Sequence, residues 1–171
     1  GALTRSPPRP AVEGAVARLA LGNPEKVELR VDRRCGPDNV RRLGLVSDHR
    51  RFTDWVDITA HSGVPTLVAF HNPTLVEYGA DRINEALDAL RTMVGDVPDP
   101  IAAYATDWTN DPFAHGSYSY IPVGGSADDM RALAGRQSPQ VVFAGEHTVP
   151  EYFGTVHGAH LSGRRAAEEF R

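Results

Sequence analysis

The chain has 171 residues, 41% hydrophobic and 23% charged, with a formal net charge of −4, which suits an ordinary globular domain with a sizeable core. Its scattered basic residues leave no electrostatic footprint for a nucleic acid, and no apolar run approaches the ~18–20 residues of a membrane helix. The single cysteine, Cys35, excludes an internal disulfide framework and is compatible with a reducing cytosol, so a cytoplasmic location is expected.

GALTRSPPRP, residues 1–10, lacks an initiator Met and contains three prolines, the composition of an extended connector from something upstream. KVELRVD (26–32) and LGLVS (43–47) read as strands, and WVDITAHSGVPTLVAFHN (55–72) reads as two more around a Ser-Gly turn, given its β-branched content. In ADRINEALDALRTMV (80–94), Ile83, Leu87, Leu90 and Val94 share one face and Gly95 follows as a stop, which predicts an amphipathic helix. DVPDP is a loop, IAAYATDW (101–108) a strand, and NDPFAHGSYSYIPVGGSADD is turn-rich. SADDMRALAG contains a short helix capped by Ser126, QVVFAG (140–145) reads as a buried strand, and a last helix starts at about Thr155.

On that last helix, Thr155, Ala159, Ser162, Gly163 and Ala166 fall near one stripe. A glycine inside a helix costs ~1 kcal/mol relative to alanine, so Gly158 and Gly163 are costly unless something comes close. The residues alone leave two readings open, tight packing or a ligand at the helix start, where unpaired N–H groups suit an electron-rich atom. No G-x-G-x-x-G or Walker pattern occurs. His157 and His160 lie three apart and His147 is near in sequence, but without H-E-x-x-H or a Cys/His set no metal is expected. No G-x-S-x-G elbow supports a serine hydrolase.

WTNDPFAHGSYSYIPVG (108–124), followed by FAGEHTVPEYFGTVHGAHLSGRRAA (143–167), resembles the C-terminal region of the FAD-dependent amine oxidases. It is most similar to the lysine-specific histone demethylase and polyamine oxidase branch of the monoamine oxidase family. RLALGNPEKVELRVDR (18–33) is similar to the strand of that family which carries a flavin-facing lysine, while residues 35–100 match only in outline. The resemblance implies an α/β (α+β) fold: a mixed-sheet substrate domain plus the last strand and helix of a Rossmann-like FAD-binding domain. Residues 1–10 would be a connector from a missing upstream part, 11–138 a portion of the substrate-binding domain, and 139–171 the C-terminal strand and helix of the FAD-binding domain. The Gly-rich βαβ unit would lie upstream, so the chain is expected to be a C-terminal fragment or part whose partner is that upstream FAD-binding part.

Carried over by the same resemblance, the backbone at Thr155 and Val156 meets the pyrimidine end of the flavin, stabilising the negative charge that reduction puts there. Glu146 would hydrogen-bond the cofactor's hydroxyl-bearing chain; its other reading is a plain loop carboxylate. Lys26 would hold a water near flavin N5, although a lysine flanked by Glu25 and Glu28 is by itself a solvated face residue. Trp108, Phe113, Tyr118 and Thr155 would line the reaction site, with plain core aromatics as the alternative for Trp108 and Phe113. Tyr118 matches the family's cage tyrosine, and Thr155 stands where many members have a second one. Ser117 replaces the cysteine that links FAD covalently in monoamine oxidases, so FAD is expected to be noncovalent. The catalytic assignments are thus Lys26, Tyr118 and Thr155, and the cofactor-binding ones Glu146, Thr155, Val156, Trp108, Phe113 and Ser117.

The activity implied is oxidation of a neutral amine by hydride transfer to flavin, with the imine hydrolysed and O₂ reduced to hydrogen peroxide. A polyamine, monoamine, amino acid or methylated lysine all fit, because likeness at the flavin does not transmit substrate choice. Partners are then a small amine and O₂, with no nucleic acid and no membrane. Two other readings stay open: a noncatalytic truncated module that binds a partner, and another flavin oxidase or desaturase of the same fold.

Overall fold

The computed structural model describes residues 10–48, 51–71 and 81–170. In chain order the elements are α1 (Pro10–Ala17), β1 (Ala20–Leu21), β2 (Glu25–Arg30), β3 (Arg42–Gly44), β4 (Phe52–Asp57), α2 (Thr59–Ser62), β5 (Thr66–His71), α3 (Arg82–Val94), β6 (Ala102–Ala105), β7 (Ser119–Tyr120), α4 (Ala127–Ala134) and α5 (Val156–Glu168). They fall into two compact units, one built from residues 23–111 and the other from the two ends of the chain, up to Gly22 and from Pro112 on. Of the expected connector at 1–10, only Pro10 lies within the described residues, and it opens α1, where a missing N–H is harmless. Among the described residues no helix is long and apolar enough to cross a membrane.

The 23–111 unit is a five-stranded sheet in the order β3-β4-β5-β2-β6. A mixed sheet was the expectation; every pairing among these strands is antiparallel. Side chains along a strand alternate between faces, and β2 shows it: Glu25, Val27 and Leu29 are buried while Lys26, Glu28 and Arg30 are exposed. The inner face, with Val27, Leu29, Trp55, Leu67 and Ala69, packs on Ala86, Leu87, Ala89 and Leu90 of α3. Helix α3 follows its sequence signals closely. The Asp81 side chain accepts the Asn84 N–H at its start, and Gly95, at φ 82°, closes it by donating to the Arg91 carbonyl.

Three local expectations are corrected. The Ser-Gly turn in 55–72 is a full helical turn, α2, closed by Gly63 in the left-handed region; Asn72, at the end of that stretch, lies outside the described residues. The strand read at 43–47 ends at Gly44; the Leu45 N–H still donates to the Thr53 carbonyl at 2.8 Å, and Val46 is wholly exposed. The buried strand read at 140–145 is not formed: only a Ser138–Val141 bridge appears, and Val141 is 37% exposed. An apolar run favours extended backbone, but a strand also needs a neighbour's N–H and C=O groups. Side chains of α5 hold this segment instead. Ser162 Oγ accepts the Gly145 N–H at 2.8 Å, and Arg165 Nη2 donates to the Phe143 carbonyl at 2.5 Å.

In the unit made from the chain ends, β1 and β7 form a short antiparallel ribbon. Val12 and Ala15 of α1 bury against Leu133 of α4, with Leu19 and Phe143 beside them. Helix α4 starts as read, with Ser126 and Asp129 forming a reciprocal capping box. Arg18 reaches the same Asp129 Oδ1 through Nε at 3.0 Å and Nη2 at 2.6 Å, fixing the end of α1 to the start of α4.

Trp55 is wholly buried, and its Nε1 donates to the Phe52 carbonyl at 3.1 Å. Trp55→Ala should therefore lower stability by about 3–5 kcal/mol in urea unfolding, the range for deleting a buried aromatic. Val46→Ala, at an exposed position, should change it by less than about 0.5 kcal/mol.

Candidate functional site

The residues singled out in the sequence divide between the two units. Phe113, Ser117, Tyr118, Glu146, Thr155 and Val156 belong to the unit of chain ends, and Lys26 and Trp108 to the sheet unit.

In the first group the organising residue is Glu146, in a 3₁₀ turn spanning Glu146–Thr148. Its Oε1 accepts the Ser119 N–H at 2.9 Å, and its Oε2 accepts the Ser119 hydroxyl at 2.7 Å and the Gly154 N–H at 2.5 Å. Burial alone would raise this carboxyl's pKa, but the donors from Gly154 and Ser119 hold it below the ordinary carboxylate range. Burial pushes the neighbouring His147 imidazole down, and the Glu146 charge offsets part of that. One carboxylate thus ties β7 to the turn that precedes α5.

That turn sets the helix start. Gly154 adopts φ 68°, and a Cβ there would lie 3.8 Å from the Tyr118 ring. Thr155 caps α5: its Oγ1 accepts the Gly158 N–H at 3.1 Å and donates to the Tyr152 carbonyl at 2.6 Å. The His157 ring meets Tyr152 edge-on at 4.8 Å. A Cβ on Gly158 would stand 2.2 Å from the Tyr152 carbonyl oxygen, so glycine is required there, whereas at Gly163 it would meet nothing within 4 Å. Close approach therefore explains the first helical glycine and not the second.

These residues fit a flavin at the helix start. Thr155 satisfies Gly158, and helix geometry leaves the N–H groups of Val156 and His157 without acceptors inside the helix. Val156 itself is 89% exposed. Ser117 Oγ is buried with no hydrogen-bond partner, a hydroxyl left for a ligand. Glu146 fits less simply, because the chain already fills three of a carboxylate's roughly four acceptor positions.

In the sheet unit, Lys26 lies on the outward face of β2, its Nζ 5.5 Å from the centre of the Phe70 ring. It borders a groove of about 370 Å³ whose floor includes Val56, Val68, Phe70 and Tyr104. Glu25, which precedes Lys26 on the same strand, is buried. It accepts a short hydrogen bond from the Thr106 hydroxyl, and it takes the Thr109 N–H at 3.0 Å and the Thr109 hydroxyl at 3.3 Å. Glu25 thereby fixes the segment that carries Trp108. The signal was available: a residue next to an outward lysine in a strand must face inward. Within this chain Trp108 is 44% exposed and Phe113 94%. Among the described residues no group of three metal-ligating side chains comes together.

Residues 2–170 match the family model described as flavin containing amine oxidoreductase. The chain is 37% identical over 172 residues to a possible lysine-specific histone demethylase 1 of Drosophila melanogaster, covering 90% of this chain and 19% of that protein. It is 39% identical over 166 residues to lysine-specific histone demethylase 1 homolog 1 of Oryza sativa subsp. japonica, covering 90% and 20%. To probable polyamine oxidase 4 of Arabidopsis thaliana it is 30% identical over 161 residues, covering 90% and 32%. The chain therefore spans between about a fifth and a third of these relatives' length. Among solved structures, wild-type putrescine oxidase bound to putrescine superposes with a TM-score of 0.77 at 23% identity, over 98% of this chain and 39% of that one, a likeness of fold.

The two helical glycines should part company on substitution. Gly163→Ala should raise thermal stability by up to about 1 kcal/mol, while Gly158→Ala should lower it and disturb the amide resonances of Tyr152 to Thr155. For Glu146, a folded-state pKa below the ordinary value means its stabilisation is present at neutral pH and is lost as pH falls through that value. Urea midpoints should show Glu146→Gln less stable than wild type by about 1–3 kcal/mol at pH 7, with the gap narrowing once wild-type Glu146 is protonated.

Proposed function

Because the chain belongs to the flavin-containing amine oxidoreductase family, we propose that it forms the substrate-facing sheet and flavin-facing C-terminal helix of an FAD-dependent amine oxidase. The observation that carries this reading is the start of α5, where Thr155 caps one N–H and leaves those of Val156 and His157 for an acceptor outside the helix. FAD, when bound, supplies a two-electron acceptor for the hydride of a neutral amine's α-carbon. The amine becomes an imine that water hydrolyses, and the electrons pass on to O₂ as hydrogen peroxide.

The chain's own residues position and insulate. The N–H groups at the start of α5, with the helix dipole behind them, favour negative charge at that spot. Lys26 would hold a water near flavin N5, and Trp108, Phe113 and Tyr118 offer aromatic surface that excludes water and favours a neighbouring cation. Ser117 offers a hydroxyl in place of a linking thiol, which leaves FAD noncovalent. Glu146 acts first by holding Gly154, and so Thr155, in place, and its remaining acceptor position serves the cofactor's hydroxyl-bearing chain. Residues 11–138 supply the substrate domain and 139–171 the C-terminal piece of the FAD domain, joined to an upstream FAD-binding part in the cytoplasm. The relatives' names favour a polyamine or a methylated lysine as the amine.

Lys26→Met tests the reading in the flavin-loaded protein. Flavin absorbance should show nearly unchanged cofactor content, while stopped-flow traces should show flavin reduction, reoxidation by O₂, or both slowed by ~10²–10³, the cost of losing one positioned polar group beside a reacting atom. Wild-type rates in both half-reactions would remove Lys26 from the mechanism.

A further inference from the structure

A second pocket lies in the sheet unit, sharing no residue with the groove beside Lys26. It has a volume of about 350 Å³ and is lined by Arg34, Asn39, Arg41, Asp57, Thr59 and Ala60. That is far more than the ~30 Å³ share of one water and lies in the range of small-ligand sites.

Its electrostatics are set by Asp57, whose side chain is only 9% exposed. Asp57 Oδ1 accepts the Thr59 N–H at 2.8 Å, and Oδ2 accepts Arg34 Nε at 3.1 Å. Burial opposes the charge on Asp57, but the donors from Thr59 and Arg34 outweigh it and keep the carboxylate ionised. Arg34 is therefore held through Nε, and both of its Nη groups are without partners among the described residues. Arg41 lines the same pocket and has no side-chain partner among the described residues. Most other arginines of this unit are paired: Arg33 with Asp96, Arg42 with Asp54, Arg51 with Glu85, Arg82 with Asp107 and Arg91 with Asp99. Arg30, outside the pocket, is likewise without one.

Asp57 balances Arg34, and nothing in the pocket balances Arg41, so the lining carries one net positive charge. Two guanidinium groups brought to one cavity repel, and an anion between them relieves the repulsion while matching their planar forks. A single carboxylate neutralises this lining. A doubly charged phosphate would leave an excess negative charge close to Asp57. We propose that this pocket binds a carboxylate-bearing ligand, with the Nη edge of Arg34 and the guanidinium of Arg41 as its anchors.

Isotope-labelled 171-residue chain, titrated at constant ionic strength, tests the proposal. The probes are acetate, the peptide acetyl-Gly-Glu-Gly-amide, inorganic phosphate and chloride. Both carboxylates should move the backbone amides of Asn39, Arg41, Thr59 and Ala60 along saturating curves. Tighter binding of the peptide assigns the carboxylate to an acidic side chain, and tighter binding of acetate to a free acid. Arg41→Gln removes an exposed side chain without a partner, so the remaining amide spectrum should be unchanged while affinity falls about tenfold or more, as for loss of one charged hydrogen-bond donor. Ala60→Glu, which places a carboxylate at the pocket, should abolish binding in the same way. Equal shifts with chloride, phosphate saturating at lower concentration than either carboxylate, or unchanged affinity in Arg41→Gln would each overturn it.

Discussion

The carboxylate of Glu146 gathers donors from two places that are far apart in sequence, Ser119 on β7 and Gly154 ahead of α5. The turn between Gly145 and Thr155 has little regular structure beyond two 3₁₀ turns, at Glu146–Thr148 and Pro150–Tyr152. Its shape is set by that ion and by the Tyr152 carbonyl, which lies against the first turn of α5 where Gly158 lacks a side chain. The direction of the helix start, and with it the donors of Val156 and His157, follows from this tie. A residue that the family resemblance gives to the cofactor thus also holds the backbone ahead of α5 in place.

The sheet unit uses the same device. Glu25 is buried and accepts from Thr106 and Thr109, with no cation among its hydrogen-bond partners in the described residues. Hydroxyl and N–H donors can replace much of a buried carboxyl group's lost hydration. Such an arrangement is directional, which a surface ion pair is not. It fixes the loop bearing Trp108 relative to the strand bearing Lys26, two residues that the proposed chemistry needs held steady.

How far the sequence could be read followed the range of the forces involved. Helices α3 and α4 were legible because their apolar faces and caps, Asp81 with Gly95 and Ser126 with Asp129, are local. Strand β2 was legible as a strand, and the family through the motifs at 108–124 and 143–167. Residues 140–145 were misread because pairing is not encoded in the paired segment alone. The inward turn of Glu25 and the double duty of Glu146 went unseen because their partners lie 81 and 27 residues away. The Arg34–Arg41 pocket was invisible for the same reason, since the stretch from Arg34 to Arg41 meets the stretch from Asp57 to Ala60 there.

The sheet also places its shortest strands at its borders. The edges β3 and β6 have three and four residues, while the interior strands β4, β5 and β2 have six each. A foreign strand docking at either border would find only a brief run of free backbone groups, too short to hold register against thermal motion. The sheet can therefore keep an apolar groove open beside Lys26 without also offering a template for edge-to-edge self-association.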